Sequence, residues 1–522
     1  MATSLSSWLQ PVFDAATMRA TDRWAIDEQG IPSLRLMESA GEALARVVEE
    51  AAGGGSIAIV CGKGNNGGDG LVAARLLADW GHRVSVVMLA AEAELSADTA
   101  ANLARLPESV GRIEAAAMSA GEIGASLATS GLLVDAILGT GAVGEVRGVS
   151  GAAIAALNDS AAPVVACDIP SGVDASSGEI AGTAVEADLT VSFHAAKLGH
   201  LIAPGKRASG ELVIAEIGIP PGGPDQGSAG VIGEEILASM PRRGADSSKF
   251  SNGAVLIIGG SRGLTGAPSL AAQAAVRAGA GYATVGVPAS LEPILEAKLT
   301  EPMTLALPEP SGEPGFLGAD AVEAVLEAAG RAQAVLLGPG LGRGQEAVRL
   351  VHGLLTGIEA PMVIDADALN ALEGDLAALA ARQAPTVLTP HAGELARLLD
   401  TESAEISRHR LASARAVAIA AGAIVVLKGD DTIVIGPDDD GPAISDLASP
   451  GLATAGTGDV LAGLLTALIA RGMDPFAASC AAVRAHARAG QLAAERLGSA
   501  ESVIASDVIE ALAAALVGGV GG

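Results

Sequence analysis

The chain has 522 residues and a formal net charge of −28. That length calls for two or more domains with sizeable cores, and the acidic excess, with no basic stretch interleaved with aromatics, argues against a nucleic-acid partner. No apolar run is long enough to span a bilayer, the first twenty residues lack a basic and then apolar leader, and Cys61, Cys167 and Cys480 have neither metal-ligand spacing nor disulfide-scaffold density; a cytoplasmic protein without a membrane partner is expected.

Residues 15–51 read as helix, turn, helix, with Leu36, Met37, Ala40, Leu44 and Val47 at helical spacing. Ser56–Cys61 is a short buried-strand run, Gly62–Gly70 a loop and Leu71–Trp80 a helix. Strands follow at Arg83–Leu89, Leu132–Leu138, Pro163–Cys167, Asp188–Phe193 and Glu211–Ile219. Strand–helix alternation with glycines at strand C-terminal ends predicts a doubly wound parallel sheet. Residues 223–230 have linker composition, which predicts domains over 1–222 and 231–522. The second half repeats the pattern. Strands are expected at Ala254–Ile258, Tyr282–Val287, Ala334–Leu337, Pro361–Ile364, Pro385–Leu388 and Ala423–Leu427, with helices over Ala267–Ala278 and Ile504–Val517.

Gly62-Lys63-Gly64-Asn65-Asn66-Gly67-Gly68-Asp69-Gly70 is neither a Gly-x-Gly-x-x-Gly fingerprint nor a Walker A loop. Its place between strand and helix predicts a backbone cradle for a ligand phosphate. Asp135 and Asp168 fall at strand C-terminal ends, where open α/β sheets bind ligands. Asp168 precedes Pro170-Ser171-Gly172, a turn that fixes its direction and makes it a candidate acid/base. The alternative for Asp135 is a buried, hydrogen-bonded loop anchor. Asn66, Asp135 and Ser171 offer only oxygen ligands, which suit a hard cation and not zinc.

Gly62–Gly70, Asp135–Gly141, Asp168–Asp174 and His194-Ala195-Ala196-Lys197-Leu198-Gly199 together resemble the NAD(P)H-hydrate epimerase family, over residues 10–220. The resemblance implies a Rossmann-like fold and interconversion of the C6 epimers of hydrated NADH or NADPH. It implies that Asn65, Asn66, Gly67, Gly68 and Asp69, with Gly139, Thr140, Gly141, Ala142, Val143, Gly144 and Glu145, hold the dinucleotide. Asn66, Asp135 and Ser171 are then similar to potassium ligands, Asp168 to the catalytic carboxylate, and Lys197 to a residue assisting it.

Leu452–Gly463 opens with small residues and runs into an apolar helical pattern, which places Gly456, Thr457 and Gly458 at a helix N-terminus, an anion site. Asp459 reads as a base beside that cradle, or as a plain first-turn acid. Gly338–Gly342, Val363–Leu369, Leu388–Glu394 and Lys428–Thr432 each follow a predicted strand, which predicts one site along one sheet edge. This ordered set resembles the ribokinase-like fold and, more closely, the ADP-dependent NAD(P)H-hydrate dehydratases, over residues 230–519.

The resemblance implies that ADP phosphorylates the C6 hydroxyl of the S epimer, turning a poor leaving group into phosphate, whose elimination restores NAD(P)H. It implies Asp459 as base and Gly456–Gly458 as the phosphoryl cradle, with Lys428, Gly429, Asp430, Asp431 and Thr432 on the nucleotide. By the same resemblance Ala254, Gly340, His391 and Asp459 would hold the hydrate, with Asp365 and Glu394 as candidates for positioning magnesium or a water. It also implies a homo-oligomer. The alternative is a ribokinase-like small-molecule kinase carrying a non-catalytic N-terminal binding module; the intact Asp168 and Gly62–Gly70 loop weigh against it.

Overall fold

A computed structural model describes residues 5–223, 227, 229–438 and 441–517. The chain divides into two compact units, Pro11–Ser228 and Met1–Gln10 with Ala229–Gly522. The first residues therefore group with the second unit. Of the linker expected at 223–230, residues 224–226 and 228 lie outside the described residues. No helix among the described residues is long and apolar enough to cross a membrane.

The first described strand is Leu9–Val12 (β1). The sheet of the Pro11–Ser228 unit is built from Ile57–Cys61 (β2), Val84–Met88 (β3), Gly111–Glu114 (β4), Leu132–Ala136 (β5), Val164–Cys167 (β6), Leu189–Phe193 (β7) and Glu211–Ala215 (β8). The order is β4-β3-β2-β5-β6-β7-β8, and every pairing is parallel. Connections run outward in opposite directions from β2 and β5. Their C-terminal ends form the switch point where such sheets bind ligands. β2 and β5 are buried along their whole length, as fits near-continuous apolar runs covered on both faces.

The loop expected over Gly62–Gly70 is mostly helix: the helix spans Asn65–Asp79 and only Gly62–Gly64 precede it. Gly67 and Gly68 permit close packing. A Cβ on Gly67 would lie 2.0 Å from the Gly62 carbonyl oxygen, and one on Gly68 2.6 Å from Met37 Sδ. Periodicity misses this start because glycines disfavour a helix in isolation; here the approach to β2 and to the helix Ser33–Ala51 overrides propensity. Gly67→Ala sets a methyl against backbone that cannot swing aside. We expect a loss of about 1–3 kcal/mol, read as a lower midpoint in thermal unfolding of the full chain.

The second sheet adds Ala229–Ile232 (β9), Ala254–Ile258 (β10), Tyr282–Pro288 (β11), Met303–Leu307 (β12), Ala334–Leu337 (β13), Met362–Ile364 (β14), Thr386–Leu388 (β15), Ile424–Leu427 (β16), Ile433–Ile435 (β17) and Ala443–Ile444 (β18). Its order is β1-β9-β18-β17-β16-β15-β14-β13-β10-β11-β12. The run from β12 to β16 is parallel, and β17 and β18 turn antiparallel. The helix Thr457–Ala470 packs on Gly266–Arg277 so closely that a Cβ on Gly463 would meet the Ala271 carbonyl oxygen at 2.1 Å. Small residues on both helices permit that approach, and it fixes the N-terminus of Thr457–Ala470 at the strand ends.

Candidate functional site

In the Pro11–Ser228 unit the C-terminal ends of β2 and β5 open into a cavity of about 760 Å³, within the range of small-molecule sites. Asp168 stands in its wall with φ +66, and Ile169 N–H donates to the Cys167 carbonyl oxygen at 2.8 Å. This is the geometry of a γ-turn, rare and strained for a non-glycine residue. The strain is held by side chains. Lys197 is fully buried, and its Nζ donates to Asp168 Oδ1 at 2.6 Å, Ser192 Oγ at 2.9 Å and the Phe193 carbonyl oxygen at 2.9 Å. Thr140 donates to Asp168 Oδ2 through its backbone N–H at 3.1 Å and also through its hydroxyl.

Burial pushes the Asp168 carboxyl up, but the Lys197 ammonium and the Thr140 hydroxyl outweigh it and hold the group down to about 2. His200 Nδ1 accepts from the Lys197 backbone N–H at 3.0 Å, so its proton sits on Nε2 and is donated to the Asp168 carbonyl oxygen at 2.9 Å. Burial and Lys197 lower this histidine to about 3, which keeps it neutral.

Beside this ion pair lies a second carboxylate. Asp135 is fully buried, accepting from Ser171 Oγ at 2.6 Å, Ser171 N–H at 2.8 Å and Ile137 N–H at 3.1 Å. Burial raises it to about 6 against those bonds. A Cβ on Gly139 would touch Asn66 Oδ1 at 3.2 Å and Asp168 Oδ2 at 3.3 Å, so both side chains face this glycine. Asn66 is 8% exposed, and neither carboxamide atom has a hydrogen-bond partner. A buried carboxamide left open in a cavity wall marks a position where a ligand or cation completes the bonding.

The other unit gathers its polar groups at the C-terminal ends of β13 to β16. Lys428 Nζ donates to Asp365 Oδ1 at 3.0 Å and lies 3.7 Å from Glu394 Oε2. Asp365 and Glu394 are buried. A Cβ on Gly458 would lie 3.5 Å from Lys428 Nζ, which sets the lysine beneath the start of the helix Thr457–Ala470. Gly456 caps that helix with φ +92. Thr457 N–H is bonded to Thr454 and its hydroxyl donates to the Leu452 and Thr454 carbonyls. Gly458 and Asp459 N–H groups find no backbone partner among the described residues and remain for an anion. Burial, then Asp365, raises the Asp459 carboxyl to about 7, because Lys428 is committed elsewhere.

Two family models match. The first, described as YjeF-related protein N-terminus, covers residues 33–199, and the second, described as NAD(P)H-hydrate dehydratase, covers 255–513. The bifunctional NAD(P)H-hydrate repair enzyme Nnr of Salinibacter ruber is 40% identical over 96% of this chain and 95% of its own length. Those of Moorella thermoacetica and Escherichia coli are 39% and 34% identical, over 95% and 96% of this chain and 95% and 93% of their own lengths. The chain belongs to the bifunctional NAD(P)H-hydrate repair enzymes. Among solved structures, an ADP/ATP-dependent NAD(P)H-hydrate dehydratase from Bacillus subtilis, co-crystallised with ATP and Mg2+, is 27% identical, with a TM-score of 0.47, over 55% of this chain and 96% of its own.

Of the residues expected from the sequence of this repair enzyme, Asn65, Asn66, Asp69, Gly139, Thr140, Gly141, Ala142 and Asp168 line the large cavity. Gly67 and Gly68 do not: they are packed against Gly62 and Met37. Val143 is 79% exposed, and with Gly144 it lines a smaller cavity of about 180 Å³, while Glu145 pairs with Arg147. In the second unit Gly340, Asp365, His391, Glu394, Lys428, Gly458 and Asp459 follow strand C-terminal ends or open the helix Thr457–Ala470. His391 is also the cap of the helix Ala392–Leu398, accepting from Gly393 and Glu394 N–H on Nδ1.

Ala254 is a correction. It begins β10, at the opposite end of the sheet, with its N–H on Gln333. A Cβ on Gly340 would instead lie 3.3 Å from Ala267 Cβ, so Ala267 is the alanine beside this site. Asp431 is buried with both oxygens on Arg410, at 2.7 and 2.8 Å, so its carboxylate ties the Lys428–Thr432 loop down. Gly429 and Asp430 are exposed. Asp22, which lines the large cavity, carried no sequence signal: it is an ordinary acid within an amphipathic helix.

Proposed function

We propose that the 760 Å³ cavity is the epimerase centre and that the ends of β13 to β16 form the dehydratase centre. The observation that carries this is the contrast between the two catalytic aspartates. Each stands beside a lysine, but Lys197 is spent on Asp168 whereas Lys428 is spent on Asp365. The first site therefore holds a permanent anion, suited to grip and orient a hydroxyl. The second leaves Asp459 a base matched to neutral pH, beside open N–H groups that receive a phosphoryl group.

On this reading Asp459 accepts the proton of the C6 hydroxyl as that oxygen attacks the terminal phosphoryl group of ADP. The Gly458 and Asp459 N–H groups carry the developing charge. Phosphate then leaves as the ring double bond re-forms. Asp365 and Glu394, the carboxylates expected to serve magnesium, both face Lys428; magnesium bound with the nucleotide would offset the phosphate charge during transfer. Potassium fits the other unit: the open Asn66 carboxamide, Asp135 and Ser171 bring oxygen donors beside Asp168. Bound there it would supply positive charge for a substrate phosphate or hydroxyl. The assembly is proposed to be a homo-oligomer in the cytoplasm.

Two measurements test this. The purified chain given the S epimer, ADP and magnesium should release one phosphate per NADH regained; a stable phosphorylated product would instead support the kinase alternative. Replacing potassium by tetramethylammonium should slow epimerisation about tenfold and leave dehydration of the S epimer unchanged. Equal epimerisation rates in the two salts would remove potassium from the assignment.

A further inference from the structure

In the epimerase centre, the ion-paired aspartate is poorly suited to carry a proton. Asp168 Oδ1 is taken by Lys197, and Oδ2 receives both the N–H and the hydroxyl of Thr140. A carboxylate so stabilised by an ammonium and a hydroxyl is a weak base. Epimerisation needs a group that takes a proton and returns it. C6 carries both the hydroxyl and the ring nitrogen N1, so its configuration is lost when the C6–N1 bond opens to an aldehyde.

Asp22 lines the same cavity from the helix Ala15–Asp27. That helix is held firmly. Asp14 caps it through Thr17 N–H at 2.7 Å, Ala15 N–H donates to Ser176 Oγ at 3.1 Å, and Thr21 and Ala25 are buried on either side of Asp22. The Asp22 carboxylate is half-buried and makes no hydrogen bond or ion pair among the described residues. It feels Asp168 and Lys197 through space without touching either. The open, buried Asn66 carboxamide in the same wall independently marks this space as a ligand position.

We infer that Asp22 is the catalytic acid/base of epimerisation, shuttling the proton of the C6 hydroxyl while Asp168, held ionised by Lys197, keeps a fixed charge in the same wall. This rests on the cavity being the epimerase centre. The step balances with no co-reactant. The Asp22 carboxylate takes the proton of the C6 hydroxyl, and the O–H electron pair becomes the second bond of C6=O. The C6–N1 bond breaks, and its pair passes to N1, spread through C2=C3 onto the carboxamide. Rotation about C5–C6 presents the other face of the aldehyde. N1 then attacks C6, and the carbonyl pair recovers the proton from Asp22.

Burial, then the Asp168 charge, raises Asp22 to about 6, close to the pH at which a shuttle is most efficient. The titratable groups that share its cavity are Arg19 on its own helix, Asp69 on the helix Asn65–Asp79, whose carboxyl burial pushes up, Asp168, backed by the buried Lys197, and Lys63, Glu94 and Asp98 from the connections around β2 and β3.

The test uses the full chain with Asp22→Asn and Asp22→Glu, following approach to the R/S equilibrium from the pure R epimer. Dehydration of the S epimer in the same preparations reports that the other unit is intact, and an unchanged thermal-unfolding profile reports that the Pro11–Ser228 unit is folded. For Asp22→Asn we expect kcat to fall about 100-fold with KM within about threefold, and the fall in wild-type kcat below pH 6 to disappear from the profile. Asp22→Glu should restore at least about a tenth of the rate. A wild-type kcat in Asp22→Asn, or a change in KM alone, overturns the inference and leaves the epimerase centre standing. A wild-type chain that dehydrates the S epimer but leaves the R epimer untouched overturns both.

Discussion

Asp459→Asn should abolish dehydration, by about 10³-fold in kcat/KM, and leave epimerisation at the wild-type rate. The carboxylate is the one group at the helix start able to take the hydroxyl proton, and Gly458 and Asp459 N–H groups remain in the variant to bind phosphate. ADP affinity should therefore change little while turnover collapses, a signature of an interaction made in the transition state. In the wild type, kcat/KM should rise with unit slope up to about pH 7 and then level, because the base must be ionised and burial holds it up to about 7.

The same burial has an opposite effect on stability. A carboxyl raised above its ordinary 3.8 binds its proton more tightly folded than unfolded, so stability falls as pH rises from about 4 to 7. Asp459→Asn removes that penalty and should melt higher than wild type at pH 8 and equally at pH 4. A site that trades stability for a usable base behaves this way. Loss of both activities with an unchanged melting profile would contradict separate centres.

Lys197→Met should remove epimerase activity by at least about 100-fold and destabilise its unit by about 3–5 kcal/mol, the usual consequence of leaving one partner of a buried ion pair alone. The lysine is fully buried and the Asp168 side chain is 13% exposed, so removing the ammonium leaves a largely desolvated carboxylate without its counter-charge. The two readouts separate in the pair Lys197→Met and Asp168→Asn. The double variant buries no net charge, so much of the stability should return while activity stays absent. The pH dependence has the opposite sign to that of Asp459. The Asp168 carboxyl lies below its ordinary value, so its stabilisation is full above about pH 4 and is lost as pH falls toward 2. Urea denaturation at pH 7 and pH 3 checks both statements. A Lys197→Met chain as stable and active as wild type would show that the pair is incidental.

The architecture was largely readable from the sequence because parallel strands buried on both faces leave plain apolar runs, as at Ile57–Cys61 and Ala334–Leu337. Strands that are short or marginal left no such trace. Gly111–Glu114 is an edge strand, and Ile433–Ile435 with Ala443–Ile444 makes a two- to three-residue antiparallel ladder, too short for any period to register. Motifs point to the loops, and the packing of each residue within them is visible only in the fold. Gly67 and Gly68 look like phosphate-cradle glycines, and the structure adds a packing reason for them that only the distances to Gly62 and Met37 display. Ala254 and Ala267 are equivalent in composition, and only the strand's direction shows which lies at the C-terminal edge. Asp22 and the Asp431–Arg410 pair depend on contacts across the fold, which a single sequence does not display.

The claim that one chain carries both a C6 epimerase and an ADP-dependent dehydratase is tested most directly with an equimolar mixture of R and S hydrated NADH, ADP, magnesium and potassium, followed through the reduced-nicotinamide absorbance. The account predicts complete, ADP-dependent recovery, with the R fraction following through the S epimer. It predicts that Lys197→Met stops the recovery at the S fraction and that Asp459→Asn gives none. Recovery that halts at the S fraction in the wild type, under conditions where non-enzymatic epimerisation is slow, would contradict it.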